Sequence, residues 1–242
     1  MTLIMIRLTI LLMLISSVHA DDWPQWGGPQ RDLIWRETGI VKQLPSGKLP
    51  RVWSTPIGEG YAGPAVAEGM VFVTDRIHGR GREGIERVLA LDSKSGEIIW
   101  KHEYPCLYNI SYPGGPRATP VFDNGHLYTI GAVGNMFCFE AKTGEVLWSK
   151  NFQQDFGVRL PTWGMAASPL VEKDQLIALV GARNGLLISF DKLTGEEQWR
   201  SLDDSAIGYC PPVIFDFGKS RQLISWHPRA VRSVDPQTGQ VN

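Results

Sequence analysis

The chain has 242 residues, 43% of them hydrophobic, and a formal net charge of −1 from 24 Lys and Arg against 25 Asp and Glu. That length suits one architecture rather than several independent domains, and the balanced charge excludes the global basic field with which proteins capture nucleic acid. Its 26 Gly, 16 Pro and 9 Trp, set against a usual Gly plus Pro share of about 12%, predict turn-rich, aromatic-anchored β structure and argue against a helix bundle.

The N-terminus reads as an address. Arg7 precedes the apolar run LTILLMLI at 8–15, and Val18, His19 and Ala20 place small residues at the first and third positions before Asp21. This pattern predicts a signal peptide over 1–20, with a mature chain that is periplasmic or secreted. The run is shorter than the roughly 20 apolar residues of a permanent span, so no transmembrane segment is expected after cleavage, and no Cys follows it to carry a lipid anchor. Residues 21–52, including DWPQWGGPQRD at 22–32, form a lead-in segment.

From Trp53 onward the sequence repeats. LDSKSGEIIW (91–100), FEAKTGEVLW (139–148), FDKLTGEEQW (190–199) and VDPQTGQVN (234–242) align, with Gly96, Gly144, Gly195 and Gly239 spaced by 48, 51 and 44 residues. Trp100, Trp148 and Trp199 each follow their Gly by four. Periods of this length belong to propellers and related arrays. Each motif is preceded by a Pro in an extended segment, at Pro64, Pro120, Pro169 and Pro212, and by turn pairs such as Glu68-Gly69 and Asn124-Gly125. Each unit is therefore expected to hold about four short strands. Asp92, Asp191 and Asp235 are placed to accept from backbone N–H groups two residues on, and the glycines supply positive φ, which together make a tight hairpin between third and fourth strands. A Trp at one fixed offset then packs on the neighbouring unit.

These residues resemble the quinoprotein-like propellers, whose tryptophan-docking motif reads A-x-D-x-x-T-G-x-x-x-W. DWPQWGGPQRD, GPRATPVF (115–122) and LPTWGMAASPL (160–170) look like the secreted bacterial PQQ-binding-like repeat proteins. The resemblance covers 53–242 and implies an all-β propeller of four-stranded blades, with about four blades present of roughly seven or eight in the family. The next Trp of the repeat would fall just beyond Asn242, so a fragment of a longer chain is expected. The competing account is a small closed ring in which Trp53 supplies the outer strand of the last blade.

Chemistry is less legible. Quinone-dependent members of the family hold PQQ with two adjacent Cys, an aromatic floor and Glu, Asn and Asp ligands to calcium. The three Cys here, 106, 138 and 210, are isolated from one another, so PQQ with calcium stands by resemblance only, and Cys138 in MFCFE reads as a buried core residue. Their spacing matches no zinc site. Gly79, Gly81 and Gly84 match G-x-G-x-x-G but lie between two strand-like runs, so a solvated hairpin loop is expected, with Arg76, Arg80, Arg82, Glu83, Glu86 and Arg87 around it. No nucleophile or zinc-protease motif is present, and no catalytic residue is assigned.

Positions that the repeat leaves unexplained give the candidate ligand face. They are Tyr61, Arg117, Trp163 and Tyr209 before the first strands, and Arg183, Asn184, His227 and Arg229 between second and third strands. Arg117, Trp163 and His227 are the core of an expected polar and aromatic pocket for a sugar, a glycan or an anion. The reading is an exported binding or scaffolding module with a protein or polysaccharide partner in the cell envelope. The outer-membrane barrel-assembly propeller is its family precedent. The alternative is a periplasmic quinone-dependent alcohol or sugar dehydrogenase with its cofactor ligands outside these residues.

Overall fold

Two-residue turns with φ positive at both positions match the right-handed twist of the strands they join. They recur here at Glu68-Gly69 (φ 48° and 76°) and Asn124-Gly125 (φ 46° and 80°). In the computed structural model, which describes residues 21–242 except 45, 48, 205 and 219, they fold the chain into four consecutive antiparallel meanders. The expected signal peptide lies outside the described residues.

The first sheet comprises β1 (Ala65–Ala67), β2 (Met70–His78), β3 (Glu83–Asp92) and β4 (Ile98–Leu107). The second comprises β5 (Val121–Asp123), β6 (His126–Ile130), β7 (Asn135–Glu140) and β8 (Val146–Asn151), followed by one helical turn, α1 (Phe152–Phe156). The third holds β9 (Leu170–Glu172), β10 (Gln175–Ala182), β11 (Gly185–Asp191) and β12 (Glu197–Ser201). The fourth holds β13 (Val213–Phe217), β14 (Ser220–His227) and β15 (Ala230–Val234), so it has three strands where the repeat predicts four. Val241 bridges Val234 beside it. These are blades of a β-propeller, with strands in sequence order from the inner edge outward.

Between blades one and two, Phe72, Val88, Leu127 and Phe139 are fully buried and Trp100 packs against them. Blades two to four share a second core that includes Tyr128, Leu176, Phe190 and Leu223. Each such side chain contributes about 1.5–3 kcal/mol by burial. Ion pairs tie successive blades near their inner hairpins: Glu68 with Lys142, Asp123 with Lys192 at 2.7 Å, and Glu172 with Arg221 at 2.8 Å.

The hairpin aspartates behave as their spacing predicts. Asp92 accepts from Lys94 and Ser95, Asp191 from Leu193 and Thr194, and Asp235 from Gln237 and Thr238. The sequence did not reveal a β-bulge that recurs in all three complete blades. Ala90 faces Trp100 while Leu91 faces Ile98, and the same one-residue slip occurs at Trp148 and at Trp199. An extra residue bends the outer strand there and re-aims the indole.

The glycine-rich loop is corrected. Strands β2 and β3 extend to His78 and from Glu83, which leaves only 79–82 as the connection. Arg76 and Glu86 are on those strands and are buried, at 2% and 0% exposure, not solvated.

Candidate functional site

One segment of the lead-in crosses the inner edges of all four blades. Trp23 exchanges both backbone hydrogen bonds with Val66 of β1, and the Phe122 N–H of β5 donates to the Pro24 carbonyl. The Arg31 guanidinium then donates to the carbonyls of Pro169 and Pro212, the residues just before the third and fourth blades, at 2.9 and 3.1 Å. It also donates to Gln25 and lies over the Trp26 ring. Burial lowers its pKa to about 10, so it remains charged at neutral pH.

On the side of the β2–β3 hairpin, blade one carries a buried polar cluster. Glu86 accepts from the Tyr104 and Tyr108 hydroxyls and from the Ala132 N–H of blade two. Burial, partly offset by those donors, holds its carboxyl above the ordinary range. Arg76 stacks on the Tyr108 ring at 4.1 Å and donates to the carbonyls of Pro113, Arg82 and Glu83. Buried Asp75 holds Arg87 and accepts from the Gly58 N–H.

Sequence reasoning left this cluster out. Its signal was parity: Glu86 shares the inward face of β3 with Gly84, Val88 and Ala90, because alternate residues of a strand face one side.

The candidate ligand-face residues separate into two groups. Arg117 is held within its own loop, donating to the carbonyls of Gly115, Ser111 and Tyr112 and lying over Tyr61. Trp163 is half exposed, and its ring lies 5.0 Å from that of Tyr209. His227 is buried, with Nδ1 3.0 Å from the Asp204 carboxylate, and Arg229 approaches the same carboxylate at 3.7 Å. The Ala206 N–H first, with Arg229 and His227 adding, holds Asp204 below the usual carboxylate range. Gly208 lies against the His227 backbone, so Trp163, Tyr209 and His227 converge on the strand-free segment before blade four, while Arg117 belongs to the segment before blade two.

Open clefts surround these segments. One of about 570 Å³ lies between blades three and four, lined by Arg159, Arg183, Asp203 and Tyr209 over Leu160 and Ile207. A larger one, about 960 Å³, runs along β4, β8 and α1. A third, about 410 Å³, is lined by His78, Arg82 and Ser111.

The cofactor implied by the resemblance finds no cradle here. Cys106 lies on β4, Cys138 on β7 and Cys210 before β13, and all three are free thiols. Among the described residues, no three His, Cys, Asp or Glu side chains gather closely enough to hold a metal ion. The chain's own 23–31 segment pairs with Val66 of β1, bonds Phe122 of β5 and reaches the carbonyls just before β9 and β13. The described residues do not fit PQQ with calcium.

Comparisons with known proteins agree on the repeat. The family profile described as Outer membrane protein assembly factor BamB matches residues 35–102 and 86–242. The dehydrogenase subunit of alcohol dehydrogenase (quinone) from Gluconacetobacter polyoxogenes is 24% identical over 203 residues, covering 76% of this chain and 26% of that protein. The quinoprotein ethanol dehydrogenase of Pseudomonas putida is 26% identical over 198 residues, covering 72% and 29%. The chain thus spans about a quarter of the length of these curated relatives. The structure of quinohemoprotein alcohol dehydrogenase from Comamonas testosteroni superposes with a TM-score of 0.60 at 18% identity, covering 91% of this chain and 40% of its own, which shows a shared fold.

Proposed function

The chain belongs to the PQQ-like repeat family described by the outer membrane protein assembly factor BamB, and on that premise we propose that it is an exported propeller module that binds or scaffolds rather than catalyses. Residues 1–20 serve as the signal peptide, 21–52 as the lead-in and 53–242 as the blades, in a protein that is periplasmic or secreted. Trp53, Trp100, Trp148 and Trp199 dock each unit on the next, and a protein or polysaccharide of the envelope is the partner.

The observation that carries this reading is the course of residues 23–31. A cofactor seated against the inner strands at these points would compete with the backbone bonds at Val66 and Phe122 and with the Arg31 bonds to two further blades. What remains open to a ligand are the clefts beside the loops. The alternative, a quinone-dependent alcohol or sugar dehydrogenase, draws support from what the matched relatives are called.

The test uses the full native polypeptide recovered from its exported fraction. PQQ and Ca²⁺ are added, and both the cofactor absorbance and dye reduction with ethanol or glucose are followed. The module reading expects neither to change. Cofactor uptake with alcohol-dependent turnover would establish the dehydrogenase instead.

A further inference from the structure

Three clefts meet on one linker. The 570 Å³ cleft shares Arg159 and Leu160 with the 960 Å³ cleft and Thr162 with the 410 Å³ cleft. Residues 159–162 therefore border all three clefts, and this furrow of adjoining clefts suits a chain-like ligand better than a single small molecule.

Its chemistry is uneven along its length. In the 570 Å³ part, Arg159 and Arg183 are both exposed. Among the described residues, neither guanidinium has a carboxylate or carbonyl partner, whereas Arg87, Arg200, Arg221 and Arg229 each face an acid. Arg159 and Arg183 outnumber Asp203, the one acid of that lining, so the cleft favours an anion, and the planar guanidinium forks suit a carboxylate or sulfate.

Beside them stands an aromatic pair, its rings tilted by 43°. The Trp163 ring, half exposed, lies 5.0 Å from that of Tyr209, and the Trp163 backbone N–H donates to the Tyr209 hydroxyl at 3.4 Å. Of the two, Tyr209 lines the cleft, and Trp163 backs it from outside the lining. A half-exposed aromatic pair held in this way offers an apolar face with a polar rim, the complement of a pyranose ring, whose C–H face is apolar and whose edge is hydroxylated. Asp203, which also lines the cleft, accepts from the Asn184 backbone N–H at 3.3 Å. The amide side chains of Asn135, Gln153 and Gln154 line the adjoining 960 Å³ part, with Lys150 beside them.

The wall is built, not incidental. The β10–β11 pairing slips between Leu179 and Ala182, and Gly181 takes φ +80° at the slip. Ile207 packs directly where a Gly181 side chain would stand. Bulges bend a strand and redirect the residues after it, and here Arg183 follows two positions on, at the cleft.

We propose that this furrow binds an acidic polysaccharide, with Arg159 and Arg183 receiving a sugar carboxylate or sulfate and Tyr209, backed by Trp163, receiving the ring beside it. The proposal rests on the reading of the chain as a binding module.

The experiment is isothermal titration of the full native chain with four probes: tetragalacturonate, a sulfated κ-carrageenan tetrasaccharide, neutral cellotetraose and inorganic sulfate. The expected result is that one acidic tetrasaccharide binds at least ten-fold more tightly than both cellotetraose and sulfate. Which one does so distinguishes carboxylate from sulfate as the recognised group. R159Q/R183Q should weaken that binding at least ten-fold with an unchanged melting temperature, since both side chains are exposed. Y209A should weaken it while Y209F retains most of it.

Equal affinity for acidic and neutral tetrasaccharides, sulfate binding as tight as the tetrasaccharides, no acidic binding, or acidic binding insensitive to R159Q/R183Q would each overturn the proposal. Each of these leaves the module reading intact. That reading fails separately, by PQQ-dependent turnover of the same preparation.

Discussion

Trp100 of blade one lies flat against Gly144 of blade two, and its indole N–H donates to the Ala141 carbonyl at 2.8 Å. A Cβ on Gly144 would stand 2.6 Å from the indole, and the residue has φ +75°. The same pairing joins Trp53 to Gly96, Trp148 to Gly195 and Trp199 to Gly239. In the last pair the indole N–H turns to the Gln175 side chain instead of a hairpin carbonyl. The glycine is demanded twice, by its backbone and by the ring above it.

Gly144→Ala is accordingly expected to cost about 2–4 kcal/mol, from a left-handed non-glycine residue together with overpacking. Trp100→Ala, in a half-buried site, should cost about 3 kcal/mol. Urea denaturation midpoints measure both, and a G144A midpoint equal to that of the parent would refute the account.

Arg31 offers a second test, because one guanidinium spans blades three and four. Arg31→Ala removes charge-assisted bonds to the Pro169 and Pro212 carbonyls, each worth about 1.5–3 kcal/mol, so a loss of about 3 kcal/mol is expected. Arg31→Lys should recover only part of it, since an ammonium lacks the planar fork. Hydrogen exchange at β9 and β13 should rise in R31A more than at β1. Uniform exchange across the four blades would show that Arg31 does not hold these two.

The pH dependence separates two kinds of carboxylate. Burial raises the Glu86 carboxyl above its ordinary 4.5, against the Tyr104 and Tyr108 donors. The folded state then holds that proton more tightly than the unfolded chain, so this contribution to stability is full below 4.5 and is lost as pH rises through the folded value. Asp92, Asp191 and Asp235 are lowered first by backbone N–H bonds. Their contribution is present above the ordinary 3.8 and is lost as pH falls through the folded values. Glu86→Gln should therefore flatten the decline in melting temperature above pH 4.5 and leave the acid limb in place. Parallel curves for parent and variant above pH 4.5 would remove Glu86 as the source.

Thiol chemistry gives a fourth expectation. Cys210 is exposed, whereas Cys106 and Cys138 are buried, and burial pushes the Cys138 thiol up to about 12. Since the thiolate is the nucleophile, native protein should release one equivalent with a disulfide reagent at pH 8 and two more only on unfolding. Three fast equivalents in the native state would contradict the burial of β4 and β7.

Much of the architecture is written locally. The Asp-to-Gly interval fixes each hairpin through backbone N–H groups two and three residues away, the turn pairs fix the meander, and strand alternation fixes which residues face inward. These are interactions over a few residues, so their period survives in the sequence as the spacing of Gly96, Gly144, Gly195 and Gly239. Glu86 belongs with them in principle, since its parity on β3 was readable. It escaped because a glycine-rich stretch invited a loop where two strands continue.

The rest depended on how the blades are arrayed. Arg31 meets Pro169 and Pro212 across 138 and 181 residues, and Arg159, Arg183 and Asp203 line one cleft from three separate connections. Arg117 is occupied by its own loop, while Trp163 meets Tyr209 from the next connection, 46 residues on. No periodicity encodes such meetings, because they arise from the twist and packing of whole sheets. The sequence determined the blade and its hinge points, and the tertiary structure decided which polar side chains were left free to meet a ligand.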